Sequence, residues 1–524
     1  MTSGADVLIH GLAQLGFRQL FGMPGSHSTA IYDALQREGS IRSTLIRNEQ
    51  AGAYAADGYA RVTGNPGLIC TTAGPGATNA LTGIAECWAD SVPVLLIAGQ
   101  VNSDRMHQEC GAYHEIDLES IFRPVTKWCG TVRNLDDLPQ MLGQAFDAMT
   151  QGRPRPAALF LPQDLMKAPA RLSPIPRSEF PPRLPSPKVI TEAAELLRQS
   201  RRPVVLAGGG ALWAGAEQEV KTLAQRLNAP VITSLNGKGL LDECDPLSLG
   251  HARSVRSREA LAQADALIAV GCRFTEVMTG WHTLPIPRNL IQIDLDPDQI
   301  GMNYPAAVGI EADAKLALLA LIEQVPEGGR GEWVARWGPA RELKPPRPEW
   351  LIDTLRACLP DLTPVFADAC EMGYRLQTDW ASRGPRQFFY PSNYITLGWG
   401  LPAALGASVA LESGHVVSVS GDGGFLMAAQ ELATLARYQL PLIAIVHNDN
   451  AYGAIKNIQN RDHEARFLDV DLNNPDLIAL GASFGIPSVR ASDADQFTAE
   501  LHSARNRRGP SLIEVPDHWR LIRQ

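Results

Sequence analysis

No two cysteines stand in a CxxC pair, no apolar stretch approaches 18 residues, and no run of five or six like charges interrupts the chain. Each absence removes a class of protein. The eight cysteines, at positions 70, 87, 110, 129, 244, 272, 358 and 370, are scattered without metal-type spacing, so a thiolate cage is not expected and reduced thiols in a cytosol fit. The opening MTSGADVLIHGL has no basic segment followed by a long apolar run, so neither secretion nor membrane insertion is expected and a cytoplasmic location is. With 47 basic and 56 acidic residues the net charge is −9, which argues for solubility and gives no reason to expect nucleic acid or an anionic membrane as partner. Low-complexity tracts and short-period repeats are missing as well.

What is present is a long chain with two proline-rich breaks. At 524 residues it has room for about three or four domains, each able to bury a core. Arg171 to Lys188 (RLSPIPRSEFPPRLPSPK) is too rich in proline for helix or sheet, and Val325 to Trp350 combines EGGRG with KPPRP. The expected domains are therefore 1–170, 189–325 and 350–524. Each alternates short β-branched runs with amphipathic helical patterns, the signature of α/β domains built on open parallel sheets.

The stretch from Gly421 to Gly453 is the most informative. Val416 to Ser420 reads as a buried strand, GDGG breaks it, and Phe425, Ala428, Ala429, Leu432 and Ala436 recur at helical spacing. A second apolar run, Leu442 to Val446, ends in Asn448-Asp449-Asn450, so the unit is β-α-β and its strands are parallel. Asp422 and Asp449 then occupy neighbouring loops on one sheet edge. Gly421, Gly423 and Gly424 let backbone N–H groups approach an anion there, while the two carboxylates would repel it. A divalent cation resolves the conflict, and Mg²⁺ bridging a diphosphate is the economical reading.

GDG, about 25 residues, and then an Asn-Asn or Asn-Asp pair resembles the signature of thiamine-diphosphate enzymes of the pyruvate decarboxylase and acetohydroxyacid synthase superfamily. The resemblance extends over essentially the whole chain. It implies a pyrimidine-binding first domain, a central domain and a diphosphate-binding third domain. It also implies that the Asp422 and Asp449 side chains and the Ala451 carbonyl ligate Mg²⁺, with Tyr452 and Gly453 completing the cofactor loop. Asp449 departs from the usual asparagine and adds one negative charge.

In the first domain, Thr44 to Arg47 is a strand that enters an alanine-rich helix, with Glu49 in its first turn. A carboxylate there complements the helix dipole. RNEQAGAYAADGYAR also resembles the family's RHEQ...AADGYAR segment, which implies that Glu49 is the activating glutamate at the pyrimidine N1′. A carboxyl group in a dry pocket is suited to supplying and recovering that proton. Gly22-Met23-Pro24-Gly25-Ser26-His27 forms a tight loop at a strand end, where ligands of α/β sheets bind. By resemblance Pro24, Gly25, Thr72 and Asn79 border the cofactor, and Ser26, His27 and His114 face the substrate, the two histidines managing protons. In the third domain Leu397 matches the bulky residue under the folded cofactor, the Ile395 carbonyl accepts from its 4′-amino group, and Ile455 and Ile458 line the substrate pocket.

The central domain opens with Pro203 to Gly210, but the third glycine of a GxGxxG fingerprint would fall on Trp213, so the fingerprint fails. Leu290 to Asp294 ends in an acid that could meet a ribose, which keeps an adenine nucleotide open, although taken alone the domain reads first as a structural spacer. Arg273-Phe274-Thr275-Glu276-Val277 stands where flavin-containing synthases carry RFDDR, so FAD is possible but not favoured. Those synthases also have a tryptophan soon after the metal loop, and this chain has none before Trp519.

The resemblance implies a thiamine-diphosphate- and Mg²⁺-dependent decarboxylase or carboligase for a 2-oxo acid. The carbanion/enamine intermediate would be protonated or ligated to a second carbonyl. A hydroxy-ketone lyase like benzaldehyde lyase, and a flavin-containing acetolactate synthase, are the alternatives. The minimal unit implied is a homodimer, with a homotetramer usual among relatives.

Overall fold

A computed structural model describes residues 2–108, 111–325, 327–328, 332–337, 350–411 and 413–516. They form three six-stranded sheets in which every strand pairing is parallel. The first sheet runs, from edge to edge, Arg42–Leu45, Gln19–Gly22, Gly67–Thr71, Val94–Gln100, Ala157–Pro162 and Trp128–Thr131. The third runs Phe388–Phe389, Val365–Ala367, Val416–Gly421, Leu442–Asn448, Ser511–Pro516 and Ser488–Arg490. Both follow the order second, first, third, fourth, sixth, fifth, so the outer domains share one topology. The central sheet runs Val308–Glu311, Leu290–Asp294, Ala266–Val270, Pro203–Ala207, Val231–Thr233 and Ser248–His251. That is the doubly wound order, which reverses between Pro203–Ala207 and Ala266–Val270.

The interior strands have the composition expected of a parallel sheet. Gly67–Thr71, Val94–Gln100 and Ala266–Val270 are buried at every residue, as unbroken apolar runs covered by helices on both faces must be.

The β-α-β unit expected around GDGG is present, with Val416–Gly421 paired to Leu442–Asn448 in the register Gly421 opposite His447. Its helix differs from the expected single piece. It runs as Asp422–Ala428, a 3₁₀ turn Ala429–Glu431, and Leu432–Tyr438. The tightened turn carries the fully buried Glu431 to the backbone N–H of Arg47, 2.9 Å away in the first domain. The chain leaves regular structure after Pro169, and the helix Pro187–Gln199 begins two residues inside the first proline-rich segment. Proline at a first helical position costs no hydrogen bond. The KPPRP part of the second break (344–348) and Trp519 lie outside the described residues.

The outer domains meet through two helices, Glu49–Thr63 and Gly400–Ala410. Two glycines set the spacing. A Cβ on Gly58 would lie 2.0 Å from the Ala403 oxygen, and one on Gly406 1.8 Å from the Ala55 oxygen. Asp57 accepts the Trp399 indole N–H at 2.6 Å across the same seam.

Candidate functional site

The sheet order of the third domain reverses between Val365–Ala367 and Val416–Gly421, and the loops after these strands lie side by side. A Cβ on Gly421 would stand 2.9 Å from Cys370 Cβ. Asp422 is buried, and its Oδ2 accepts the Asn474 amide at 2.5 Å. The same amide nitrogen lies 3.1 Å from Asn448 Oδ1 and 3.3 Å from Asn450 Oδ1, so Asn474 ties the GDGG loop to the loop bearing Asp449. Asp449 Oδ1 accepts the Ala451 N–H at 3.2 Å. A Cβ on Gly453 would collide with Asp449 Oδ2 at 2.3 Å, and one on Gly423 with the Tyr452 ring at 2.7 Å.

Asp368, at the end of Val365–Ala367, organises the segment from Ile395 onward. Its Oδ2 accepts the Gly398 N–H at 3.1 Å, and the backbone amides of Trp399 and Gly400 also point to the carboxylate. Burial pushes its pKa up to about 6 against the pull of these amides. Directly before this turn Ile395 has φ of 60°. A β-branched residue is rarely found in that region, and such strain persists only where the surroundings fix it. Leu397 and Met427, the latter packed beside Gly398, are exposed.

On the first sheet, Glu49 is the first residue of its helix and is buried, its Oε2 accepting the Asn79 amide at 3.0 Å. Gly76 leaves room for it, since a Cβ there would be 3.2 Å from Glu49 Oε1 and 2.7 Å from Thr72 Cγ2. The Thr72 hydroxyl accepts the His27 N–H at 3.3 Å, and a Cβ on Gly25 would lie 2.5 Å from Thr72 Cβ, so Thr72 holds the loop that follows Pro24. His27 is buried, with Nδ1 3.1 Å from the Ser26 hydroxyl. Burial, helped by His114 and Lys167, lowers its pKa. The His27 and His114 rings are 5.4 Å apart and Tyr113 stacks on both. His114 Nδ1 is buried without a hydrogen-bond partner.

The expected residues thus form two groups. Pro24, Gly25, Ser26, His27, Glu49, Thr72, Asn79 and His114 share the edge of the first sheet, and Ile395, Leu397, Asp422, Asp449, Ala451 and Tyr452 share that of the third. The hydrogen bonds of Glu49 and Asp422 each stay within their own domain. Ile455 and Ile458, on the helix Gly453–Asp462, are 50% and 41% exposed. Sequence reasoning missed Asn474, Asp368, Glu431 and Tyr113. Asp368 could have been found by analogy with Asp422, since both follow strands flanking the switch point; the others carry no local signal.

The donor set fits the cofactor that the sequence implied. Two carboxylates and a carbonyl would provide hard oxygen ligands of the kind Mg²⁺ prefers beside phosphate oxygens and water. Among the described residues no three His, Cys, Asp or Glu side chains converge as an all-protein cage. The unpartnered His114 Nδ1, on a ring 5.4 Å from that of His27, is what a ligand-facing pocket leaves behind.

A cavity of about 620 Å³ opens at the carboxyl ends of the central strands, where their order reverses. Trp213 and Phe274 give it apolar wall, Arg153 and Arg273 positive charge, and Asp294 an acid at the end of Leu290–Asp294. Gly208, Gly210 and Gly271 are packed on one another's backbone, so the glycine run serves chain packing, in keeping with the failed fingerprint.

Comparison with known proteins follows the same division. Residues 2–121 match the thiamine pyrophosphate enzyme N-terminal TPP binding domain, 190–321 the central domain and 371–515 the C-terminal TPP binding domain. The chain is 36% identical to an acetolactate synthase large subunit of Parasynechococcus marenigrum, over 98% of this chain and 87% of that one. It is 34% identical to a probable 2-ketoarginine decarboxylase of Pseudomonas aeruginosa, over 98% and 94%. An Escherichia coli acetolactate synthase isozyme 3 large subunit is 32% identical, over 96% and 92%.

Proposed function

The chain belongs to the thiamine pyrophosphate enzyme family, and from that premise we propose that it is a thiamine-diphosphate- and Mg²⁺-dependent decarboxylase or carboligase acting on a 2-oxo acid. The observation that carries this is the buried Glu49, fixed by Asn79 at the sheet edge that also bears His27 and the unpartnered His114 Nδ1. Relatives named for 2-ketoarginine decarboxylation and for acetolactate synthesis support the same class.

The bound cofactor supplies a nucleophilic carbon and accepts electrons as the bond beside a carbonyl breaks. The protein's part is positioning and proton traffic. Glu49 would hold a proton for the pyrimidine ring. Leu397 and the strained Ile395 carbonyl would set that ring's orientation, and Gly421 to Gly424 with Tyr452 and Gly453 would frame the diphosphate. Asp422, Asp449 and the Ala451 carbonyl would hold Mg²⁺. His27, uncharged at neutral pH because burial lowers its pKa, is suited to accept a proton; His114 and Ser26 complete the substrate side. Ile455 and Ile458 would form its apolar wall.

Each half-site is open on one face. Leu397, Met427, Ile455, Ile458 and Leu468 are exposed beside the metal loop, and Tyr113 beside the histidines. A second copy, laying its first domain on this third domain, would cover both faces and join Glu49 to the partner's metal loop. The proposed unit is accordingly a homodimer, or a tetramer of two such pairs. Among the described residues no helix is long and apolar enough to cross a membrane; a cytoplasmic location is part of the proposal.

For the central cavity we infer a phosphate-bearing adenine nucleotide, on the strength of its place at the switch point and its arginines. FAD is the less favoured form, since the RFTEV segment keeps only Arg273. His27 also favours a second reading, cleavage of a hydroxy-ketone.

The test is carbon dioxide release from a panel of 2-oxo acids with thiamine diphosphate and Mg²⁺ supplied, products read by mass spectrometry. Aldehyde or ketol product is expected. Cleavage of a hydroxy-ketone without release from any acid would transfer the assignment to the lyase.

A further inference from the structure

The stretch from Ser392 to Trp399 holds Ile395 and Leu397 yet forms neither strand nor helix, so its backbone N–H groups need acceptors from elsewhere. Three carboxyl groups serve. Asp90 accepts the Ser392 N–H at 2.9 Å, Glu86 Oε2 accepts the Thr396 N–H at 3.1 Å and the Thr396 hydroxyl at 2.8 Å, and Asp368 accepts the Gly398 N–H at 3.1 Å. Asp368 belongs to the same domain, whereas Glu86 and Asp90 reach across from the helix Pro75–Asp90 of the first.

Asn79, Gly83, Glu86 and Asp90 follow one another at spacings of four, three and four, so they share one face of that helix. Gly83 seats it closely: a Cβ there would lie 2.4 Å from Ala53 Cβ, on the helix that starts at Glu49. Glu86 is fully buried, and its Oε1 has no partner. Burial, with Asp90 one turn on, pushes its pKa up, towards a neutral carboxyl group whose Oε2 still accepts.

The Thr396 N–H belongs to the same peptide group as the Ile395 carbonyl. In a planar trans peptide the two point opposite ways. Holding the N–H on Glu86 therefore aims the carbonyl away from the helix, and among the described residues no donor reaches that oxygen. Ile395 itself has φ of 60°, a conformation that a β-branched residue keeps only with outside support. Thr396 on Glu86 gives that support immediately after the strained residue, and Gly398 on Asp368 gives it two positions further on.

We propose that Glu86 is a positioning residue of this enzyme: through the Ile395–Thr396 peptide it aims the Ile395 carbonyl at the 4′-amino group of thiamine diphosphate. The inference rests on the reading of that carbonyl as the acceptor from the cofactor. Glu86 acts only through Thr396.

Titration calorimetry on the whole protein with Mg²⁺ compares thiamine diphosphate with its 4′-deamino analogue, which has no amino group to donate. The wild type is expected to bind the analogue about tenfold more weakly. Glu86→Ala should bring that ratio towards one by weakening thiamine diphosphate alone. Glu86→Met, of similar volume and without an accepting oxygen, should do the same and stands in should the alanine variant fold poorly. Glu86→Gln keeps an accepting oxygen and should keep the ratio. Were Glu86 only structural, Glu86→Ala and Glu86→Met would weaken both ligands alike and leave the ratio unchanged, which would overturn the proposal. Loss of the ratio in Glu86→Gln as well would overturn the route through the accepted N–H. A wild type that binds both ligands equally would overturn the reading of the Ile395 carbonyl and the proposal with it; one that binds neither would overturn the proposed cofactor.

Discussion

The Asn79 amide nitrogen lies 3.0 Å from Oε2 of Glu49, so a buried carboxylate at the start of one helix takes its hydrogen bond from the second turn of the next. Glu49→Gln keeps the volume and removes the proton-carrying oxygen. The expected loss in turnover is roughly 10²–10⁴-fold, the range for a positioned acid–base group, with Mg²⁺-dependent binding of thiamine diphosphate largely retained. Single-turnover kinetics and calorimetry on the same preparation check it. Undiminished turnover would leave Glu49 a helix-dipole partner and nothing more.

Asn474 predicts a metal effect from a residue that is not a proposed ligand. Its amide spans Asp422, Asn448 and Asn450, so it orients the carboxylate expected to hold Mg²⁺. Groups in that position typically govern metal affinity by 10–100-fold. Asn474→Ala should raise the half-saturating Mg²⁺ concentration by about that factor, while excess Mg²⁺ restores most of the activity. Chelation should silence the wild-type enzyme reversibly. Loss that no Mg²⁺ concentration rescues would mark Asn474 as a folding residue.

How much was legible in the sequence follows from how local each signal is. The GDGG loop, the strands around it and the helix opening at Glu49 are set by neighbours in sequence, through glycine, period and capping, and the structure has them where the pattern put them. The break at Ala429–Glu431 was not legible, and the partner that Glu431 meets there, the Arg47 amide, lies 384 positions away. Asn474 and Tyr113 were hidden for the same reason: an asparagine before a proline and an exposed tyrosine acquire meaning only when the fold sets Asp422 and His27 beside them. The Ile395 strain is likewise invisible in a string of letters, since isoleucine is the last residue that φ of 60° would suggest.

Glu431 makes stability depend on pH. Its fully buried carboxyl accepts from Arg47 and Thr434, and burial pushes its pKa from 4.5 to about 7. Below about 4.5 folded and unfolded chains both carry the proton. Between that value and about 7 the unfolded chain has released it and the folded chain keeps it, so stability falls as pH rises. Above 7 the loss is complete, on the order of 3 kcal/mol. Glu431→Gln should therefore gain on the wild type in urea midpoint from pH 5 to pH 8. A difference that stays constant across that interval refutes the assignment.

Gly406 tests whether the outer domains are locked or merely adjacent. A methyl group at this position would enter the space of the Ala55 oxygen at 1.8 Å, and neither backbone helix can yield without parting the seam. Overpacking of this kind costs about 3 kcal/mol. The strain falls between the helix that begins at Glu49 and the one that follows Leu397, not on either sheet. Gly406→Ala should then lower the unfolding midpoint and weaken cofactor binding together, while far-ultraviolet circular dichroism stays native. Midpoint and affinity both at wild-type values would show that the helices slide, and that the seam does not fix the angle at which Glu49 and Leu397 are presented.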